Sequence, residues 1–186
     1  MNKKGVETIG VYFYNYPFVN ESIKKTVVEL AKKAGCKKLL IVPNGINVSK
    51  YAKQETARYM CVLDRRMMYR LCGILADKYK ADFLITGDNL AQVASQTLQN
   101  IYTETISSEK AIVRPLIGMD KNEIIVIGRR IGTYDISIKD SSCGDIVPHK
   151  PSTSTKPETV SEIEEGLGVK AILEETIKNV EEIEFN

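Results

Sequence analysis

The segment 141-SSCGDIVPHKPSTSTKP-157 holds one thiol, Cys143, and the only histidine of the chain, His149, among Ser, Thr, Pro and Lys residues that offer little to bury. Free cysteine usually sits in protein interiors. A thiol in this company therefore reads in three ways: a reactive group, a metal ligand completed from elsewhere, or a passenger in a linker. Lys139, His149 and Lys150 are cations that can lower the pKa of a nearby thiol, and the Gly-containing loop gives access to it. His149 beside Pro148 reads as a surface residue rather than a general base. The remaining thiols, Cys36, Cys61 and Cys72, form no C-x-x-C pair, so neither zinc nor a dithiol redox couple has a local signature.

The stretch 86-TGDNLAQVASQT-97 suggests a ligand crevice. It reads as the end of a strand, then Gly87, then Asp88-Asn89 capping a helix over 89–101. Gly lets a ligand approach the backbone, and a helix N-terminus offers free N–H groups. At helical spacing Asn89, Gln92, Gln96 and Gln99 share one face, and no charged residue occurs from Asn89 to Thr103. A neutral amide face donates and accepts hydrogen bonds, which suits a nucleobase or ribose. The plain alternative is a polar packing surface.

A long helix over 58–80 carries a core stripe of Met60, Met67, Met68, Leu71, Ile74 and Leu75, with Cys61 and Cys72 as core thiols at its margin. Arg65 lies on that margin and needs an anionic partner, either Asp64 or a phosphate. Arg66 and Arg70 point the other way, toward solvent. Arg114, in the strand AIVRPLI (111–117), has the same two options: a phosphate or a carboxylate.

These residues need a frame. ETIGVYFY (7–14), KKLLIVP (37–43), DFLITG (82–87) and 111–117 read as strands. Helices are expected over 21–35 with Asn20 as cap and Gly35 as stop, over 58–80, over 89–101, and over 120–132 with Asp120 as cap and Gly132 as stop. The alternation predicts an α/β fold, doubly wound with a mainly parallel sheet, whose ligands bind at the carboxyl ends of the strands. No apolar run is long enough to span a membrane, and the cytoplasm is the expected compartment. The net charge of +2 hides an asymmetry. Residues 158–186 hold nine Glu and two Lys, whereas 1–157 hold 24 basic and 15 acidic residues, a balance suited to an anionic partner or to ordinary solvated lysines. Residues 1–157 are thus read as one domain and 158–186 as an acidic helical tail. MNKKG reads as the last turn of a helix, and neither G-x-G-x-x-G nor G-x-x-x-x-G-K-[ST] occurs. The chain is therefore expected to begin late relative to a complete domain.

RRMMYRL, TGDNLAQVASQTL, RPLIGMDKNEII and IGTYDISI, in this order, strongly resemble the 4-thiouridine synthetases (tRNA sulfurtransferases). These are ATP-pyrophosphatase-type enzymes with a Rossmann-like PP-loop domain. The resemblance implies adenylation of a tRNA uridine with ATP and Mg²⁺, followed by displacement of AMP by sulfur from a cysteine persulfide. Some members also supply sulfur for the thiamine thiazole. It further implies tRNA and a cysteine-desulfurase-type sulfur donor as partners, and no membrane. Carried over by motif, the ATP contacts are Tyr12, Phe13, Arg65, Gly87 and Gln96. The family has His-Phe where this chain has Tyr12-Phe13. The sulfur-bearing residue is Cys143; many members have two adjacent cysteines where this chain has Ser142-Cys143. No protein metal ligand is implied. The S-G-G-x-D-S loop that grips pyrophosphate, the ferredoxin-like and THUMP regions and a rhodanese domain have no match here. Hence the expectation of a partial, N-terminally truncated PP-loop domain, with pairing to another chain that supplies these parts as one option. Three readings follow: the sulfurtransferase domain, a catalytically incomplete nucleotide- or tRNA-binding relative, and a different PP-loop adenylating enzyme of the amidotransferase-like kind.

Overall fold

The computed structural model describes residues 5–52, 56–139 and 150–185. They fall into two compact units, one drawn from Met1–Ile46, Lys121–Asp145 and Thr176–Asn186, the other from Asn47–Asp120 and Ile146–Glu175.

In the first unit, β1 (Ile9–Tyr14) and β2 (Lys38–Pro43) are rich in β-branched, aromatic and Leu residues, and they pair in parallel with Ile9 opposite Lys38 and Tyr14 opposite Pro43. Leu39, Leu40, Ile41 and Val42 are all buried, the pattern of a strand covered on both faces. Helix α1 (Ile23–Lys33) makes the crossover and packs Ala31, Val27 and Val28 over Leu39, Ile41, Tyr12 and Tyr14. It stops where expected, with Lys32 and Lys33 in its last turn and Gly35 at φ +75°. Its start differs: the cap position falls on Ser22, without a side-chain bond, and Asn20 contributes its backbone carbonyl to Ile23. Gly45 opens α2 (Gly45–Tyr51), where a Cβ would stand 1.8 Å from the Tyr16 carbonyl oxygen. Helix α5 (Lys121–Ile131) stops at Gly132, at φ +73°, and α6 (Tyr134–Ser137) follows.

In the second unit, α3 (Met60–Tyr79) buries Met60, Leu63, Met67, Leu71 and Leu75, whereas Ile74 of the expected stripe is exposed. Strands β3 (Phe83–Ile85) and β4 (Ala111–Val113) pair in parallel. The regular part of β4 ends before Arg114-Pro115, since proline cannot donate to a ladder. The helix expected over 89–101 does not form. Residues 90–93 turn, Ala94–Gln96 make one 3₁₀ turn, and α4 (Leu98–Thr105) starts at Thr97, whose hydroxyl accepts from the Asn100 N–H.

The C-terminal segment is more than a helical tail. After α7 (Pro157–Leu167) and α8 (Val169–Lys178) comes a strand, β5 (Glu181–Glu184), antiparallel to β2. Its alternation sends Ile183, with Phe185 beyond, to the core, while Glu182 and Glu184 bridge Lys38. Among the described residues the first sheet thus has the order β1-β2-β5, and β3-β4 form a second.

Helix α7 also corrects the reading of Arg66 and Arg70. Both turn to Glu164 rather than solvent. Arg66, only 3% exposed, donates from Nε and an Nη at 2.9 and 2.8 Å and from its other Nη to the Thr103 carbonyl at 2.6 Å. Arg70 donates to the same carboxylate at 2.5 and 2.9 Å. Burial pushes the Glu164 carboxyl up, but the hydrogen bonds from Arg66 and Arg70 win and hold it below its ordinary value. Glu164→Ala would leave Arg66 buried beside no carboxylate, and is expected to cost about 3 kcal/mol or more in urea unfolding. Glu174→Ala on α8, far less enclosed, is expected to cost less than about 0.5 kcal/mol.

Candidate functional site

The end of β3 runs through Thr86 and Gly87 into Asp88, and four groups converge on that carboxylate. Arg65 and Tyr69, one helical turn apart on α3, donate at 2.8 and 2.9 Å. Thr86 donates at 2.7 Å, and Arg114, just past β4, donates from Nε at 3.1 Å. Asp88 is 1% exposed. Burial alone pushes its carboxyl up; the charge of Arg65 and the bonds from Thr86, Tyr69 and Arg114 more than offset this, so it stays below its ordinary value. The partner of Arg65 is therefore Asp88, and neither Asp64 nor a phosphate is needed to hold the guanidinium. Arg114 also reaches Thr105 at 2.8 Å and Tyr69 at 3.3 Å. The Tyr69 hydroxyl, buried and facing Asp88, is pushed up to about 12.

This convergence explains why no helix starts at Asp88-Asn89. A capping side chain must accept from the first turn, but the Asp88 oxygens are taken, and the Asn89 amide donates to the Leu116 carbonyl at 2.9 Å and to the Met119 carbonyl. The chain instead closes a small loop, with Ala91 N–H on the Gln96 carbonyl at 2.9 Å and Ala91 in the left-handed region at φ +62°. For a non-glycine residue that conformation costs roughly 1 kcal/mol. The Ala94–Gln96 turn packs on α3. The predicted amide face dissolves accordingly: Gln92 is exposed, Gln99 accepts from Ser154 at 2.6 Å, Asn89 is buried with its amide spent on carbonyls, and Gln96 is buried with its Oε1 lacking any partner among the described residues.

Residues 152–155 lie along α4. Asn100 donates to the Ser152 carbonyl at 2.8 Å and accepts from Thr155 N–H at 3.0 Å; Thr97 and Thr103 donate to the Thr153 and Thr155 carbonyls, each at 2.7 Å. The part of 141–157 that the structure describes is thus pinned beside the residues that follow Gln96. Glu104, on the same face of α4, is 1% exposed, and its Oε1 has no hydrogen-bond partner among the described residues.

Of the residues singled out from sequence, Arg65, Gly87 and Gln96 belong to the second unit, and Arg65 meets the residue after Gly87 directly. Tyr12 and Phe13 belong to β1 of the first unit, where neighbouring side chains point to opposite faces. Tyr12 packs on the α1 side, and burial, with Tyr14 next to it, raises its hydroxyl pKa. Cys143 and His149 lie outside the described residues. Cys61 and Cys72 behave as core thiols: burial raises both, Cys72 to about 12. Sequence reasoning missed Tyr69, Thr86, Arg114 as a partner of Asp88, and Glu104. Among the described residues no cluster of His, Cys, Asp and Glu has the makings of a metal site, and no helix is long and apolar enough to cross a membrane. A cavity of about 710 Å³ opens in the same unit, lined by Arg70, Ser161, Glu164, Lys170 and Glu174 among others. None of the predicted site residues lines it, and its carboxylates disfavour a phosphate.

A polar cluster at the carboxyl end of a parallel strand pair is the place where α/β proteins of the nucleotide-binding class hold their ligands. The chain is similar, with a TM-score of 0.89 and 29% identity, to the crystal structure of a 4-thiouridine synthetase in complex with RNA and bound ATP, over 99% of this chain and 50% of that one. The fold is accordingly the PP-loop, Rossmann-like α/β fold. It is 35% identical to a probable tRNA sulfurtransferase of Moorella thermoacetica over 96% of this chain and 47% of the relative. It is 37% identical to one of Caldanaerobacter subterraneus over 98% of this chain and 50% of the relative. The family model of the thiamine biosynthesis protein ThiI matches residues 1–169, and the chain belongs to that family. It spans about half the length of these relatives.

If Asp88 holds the cluster together, Asp88→Ala leaves two arginines without their carboxylate and is expected to lower the unfolding free energy by about 3 kcal/mol. The Asp88 carboxyl is below its ordinary value in the folded state, so its contribution is complete above the unfolded carboxyl pKa and fades as pH falls through the lower folded value. The gap between wild type and Asp88→Ala in urea unfolding is therefore expected to be widest near neutrality and to narrow on acidification below about pH 4.

Proposed function

We propose that this chain is the ATP-dependent sulfurtransferase domain of a tRNA-modifying enzyme, binding Mg²⁺-ATP, adenylating a tRNA uridine and replacing its oxygen with persulfide sulfur to give 4-thiouridine. The observation that carries the reading is Gln96: a buried amide oxygen without a partner among the described residues, in a turn packed on the helix that bears the partly exposed Arg65. A buried acceptor left open calls for a donor, and an adenine amino group or a ribose hydroxyl is one.

Bound Mg²⁺-ATP would supply an activated adenylyl group, the cation offsetting phosphate charge. Arg65, held through one Nη by Asp88, has its remaining donors for a phosphate. Gly87 leaves room for backbone approach, since nothing stands within 4 Å of where its Cβ would be. Tyr12 or Phe13 lends an aromatic surface. Cys143 carries the sulfur as a persulfide delivered by a cysteine-desulfurase-type donor. Its outer sulfur bonds to the adenylated carbon as AMP leaves. An external thiol then cleaves the S–S bond to free the thiouridine, Cys143 ending in a disulfide with that thiol. The same persulfide sulfur would serve thiazole synthesis. The alternative of a binding-only relative differs at one point: it binds nucleotide or tRNA and leaves thiolation unchanged when Cys143 is lost.

Arg65→Ala and Gln96→Ala are each expected to weaken Mg²⁺-ATP binding roughly tenfold in calorimetry, about 1.4 kcal/mol, with the far-ultraviolet circular dichroism unchanged. Unaltered affinity in both variants rejects the site. Loss of 4-thiouridine from the tRNA of a Cys143→Ser strain is expected, and retained thiolation rejects the sulfur-bearing role.

A further inference from the structure

Among the described residues of the second unit, Glu104 is a strongly buried acid that no cation claims. The groups around it come from three elements. Helix α3 presents Arg65 and Arg66, with Cys61 nearby; the loop after β3 presents Asp88, which Tyr69 of α3 bonds; and the end of β4 presents Arg114. The strap laid over this face of α4, residues 152–155, has only Ser and Thr side chains. Each arginine is committed elsewhere. Arg66 is held by Glu164 and the Thr103 carbonyl, Arg65 by Asp88, and Arg114 by Asp88, Tyr69 and Thr105. No ion pair to Glu104 occurs among the described residues, and its Oε1 accepts nothing.

A carboxylate sealed from water without a cation or a full set of donors is strongly disfavoured, and it takes up a proton instead. Arg66 is paired with Glu164, which it shares with Arg70, and the charge around Asp88 is set by Arg65, Arg114 and Asp88, two cations against one anion. We infer that Glu104 is kept as a neutral carboxylic acid beneath this cluster, leaving one positive charge in excess for an anionic ligand, and that ionisation of Glu104 cancels it. Arg65, whose side chain is 29% exposed, is where that charge meets the solvent. Burial, with repulsion from Asp88, outweighs the attraction of Arg65 and Arg114 and pushes the Glu104 carboxyl up to about 8, so the change falls within reach of ordinary buffers. The inference rests on Arg65 as a phosphate contact and adds a residue that sets the charge of the site without touching the ligand.

The test is calorimetry of Mg²⁺-ATP binding to the whole chain between pH 7 and pH 9, with wild type and Glu104→Gln, beside a carbon NMR titration of the glutamate carboxyls. The wild-type affinity is expected to fall roughly fivefold or more over this range as one charge is lost. Glu104→Gln is expected to bind as wild type does at pH 7 and to stay level. Binding near pH 8.5 should take up protons in wild type and none in the variant. A Glu104 resonance titrating in the ordinary range near 4.3, or the same pH profile in both proteins, overturns the inference. The NMR arm needs only wild type, so a variant that folds poorly does not rescue the idea. Absence of ATP binding at every pH rejects the nucleotide reading alone; tripolyphosphate then replaces ATP, and affinity for it that ignores pH rejects the charge role of Glu104.

Discussion

Asp88 is almost fully buried and yet kept ionised, and it can be so only because two arginines, a tyrosine and a threonine spend their donors on it. That requirement fixes the rest of the second unit. Arg65 and Tyr69 must sit one turn apart on α3, Arg114 must stand just beyond β4, and β3 must end so that Thr86 and Asp88 face the same point. Three elements far apart in sequence are thereby locked in register by a single carboxylate. The two guanidinium groups have more donors than one carboxylate can take, and it is this surplus that the proposed function assigns to an anionic ligand.

A second carboxylate, Glu164, does the same work for the neighbouring arginines of α3. Arg66 and Arg70 both close on it, and the acidic segment is thereby tied to α3. The strap at 152–155 adds a third tie, through Asn100 and Thr103 of α4. The Gln96 turn, Glu104 and the strap therefore share one short helix, and what changes the packing of α4 reaches all of them. Under the proposed function this is useful economy: the residues that follow the Cys143 segment are anchored directly after the turn that carries the buried Gln96 amide.

Much of the frame was legible from sequence, because its signals are local. The strands β1 and β2, the crossover α1 with its Gly35 stop, the long α3 and the Gly132 stop of α5 all follow from periodicity and end residues. The failures share one cause, partners distant in sequence. Asp88-Asn89 has the composition of a helix cap, but Arg65, Arg114 and two carbonyls near residue 117 draw both side chains away, so the helix waits until Thr97. Arg66 fell on the face opposite the apolar stripe, and only Glu164, in a segment read as a separate tail, explains its burial. Strand β5 had a signal that was passed over: in EEIEF the apolar residues alternate, a strand period rather than a helical one. Of the site, Arg65, Gly87 and Gln96 came from motif resemblance with a bottom-up rationale, whereas Glu104 has no local signature at all. Its meaning lies in what surrounds it.

The central claim is that Asp88 orients Arg65 for an anionic ligand, and a double-mutant cycle on Mg²⁺-ATP affinity tests it most directly. Asp88→Asn, Arg65→Ala and the double variant would be compared by calorimetry at pH 7. Loss of Asp88 is expected to weaken binding only while Arg65 is present, giving a coupling energy of about 1 kcal/mol or more. Effects that simply add would contradict the account, since Arg65 would then act without the carboxylate that holds it.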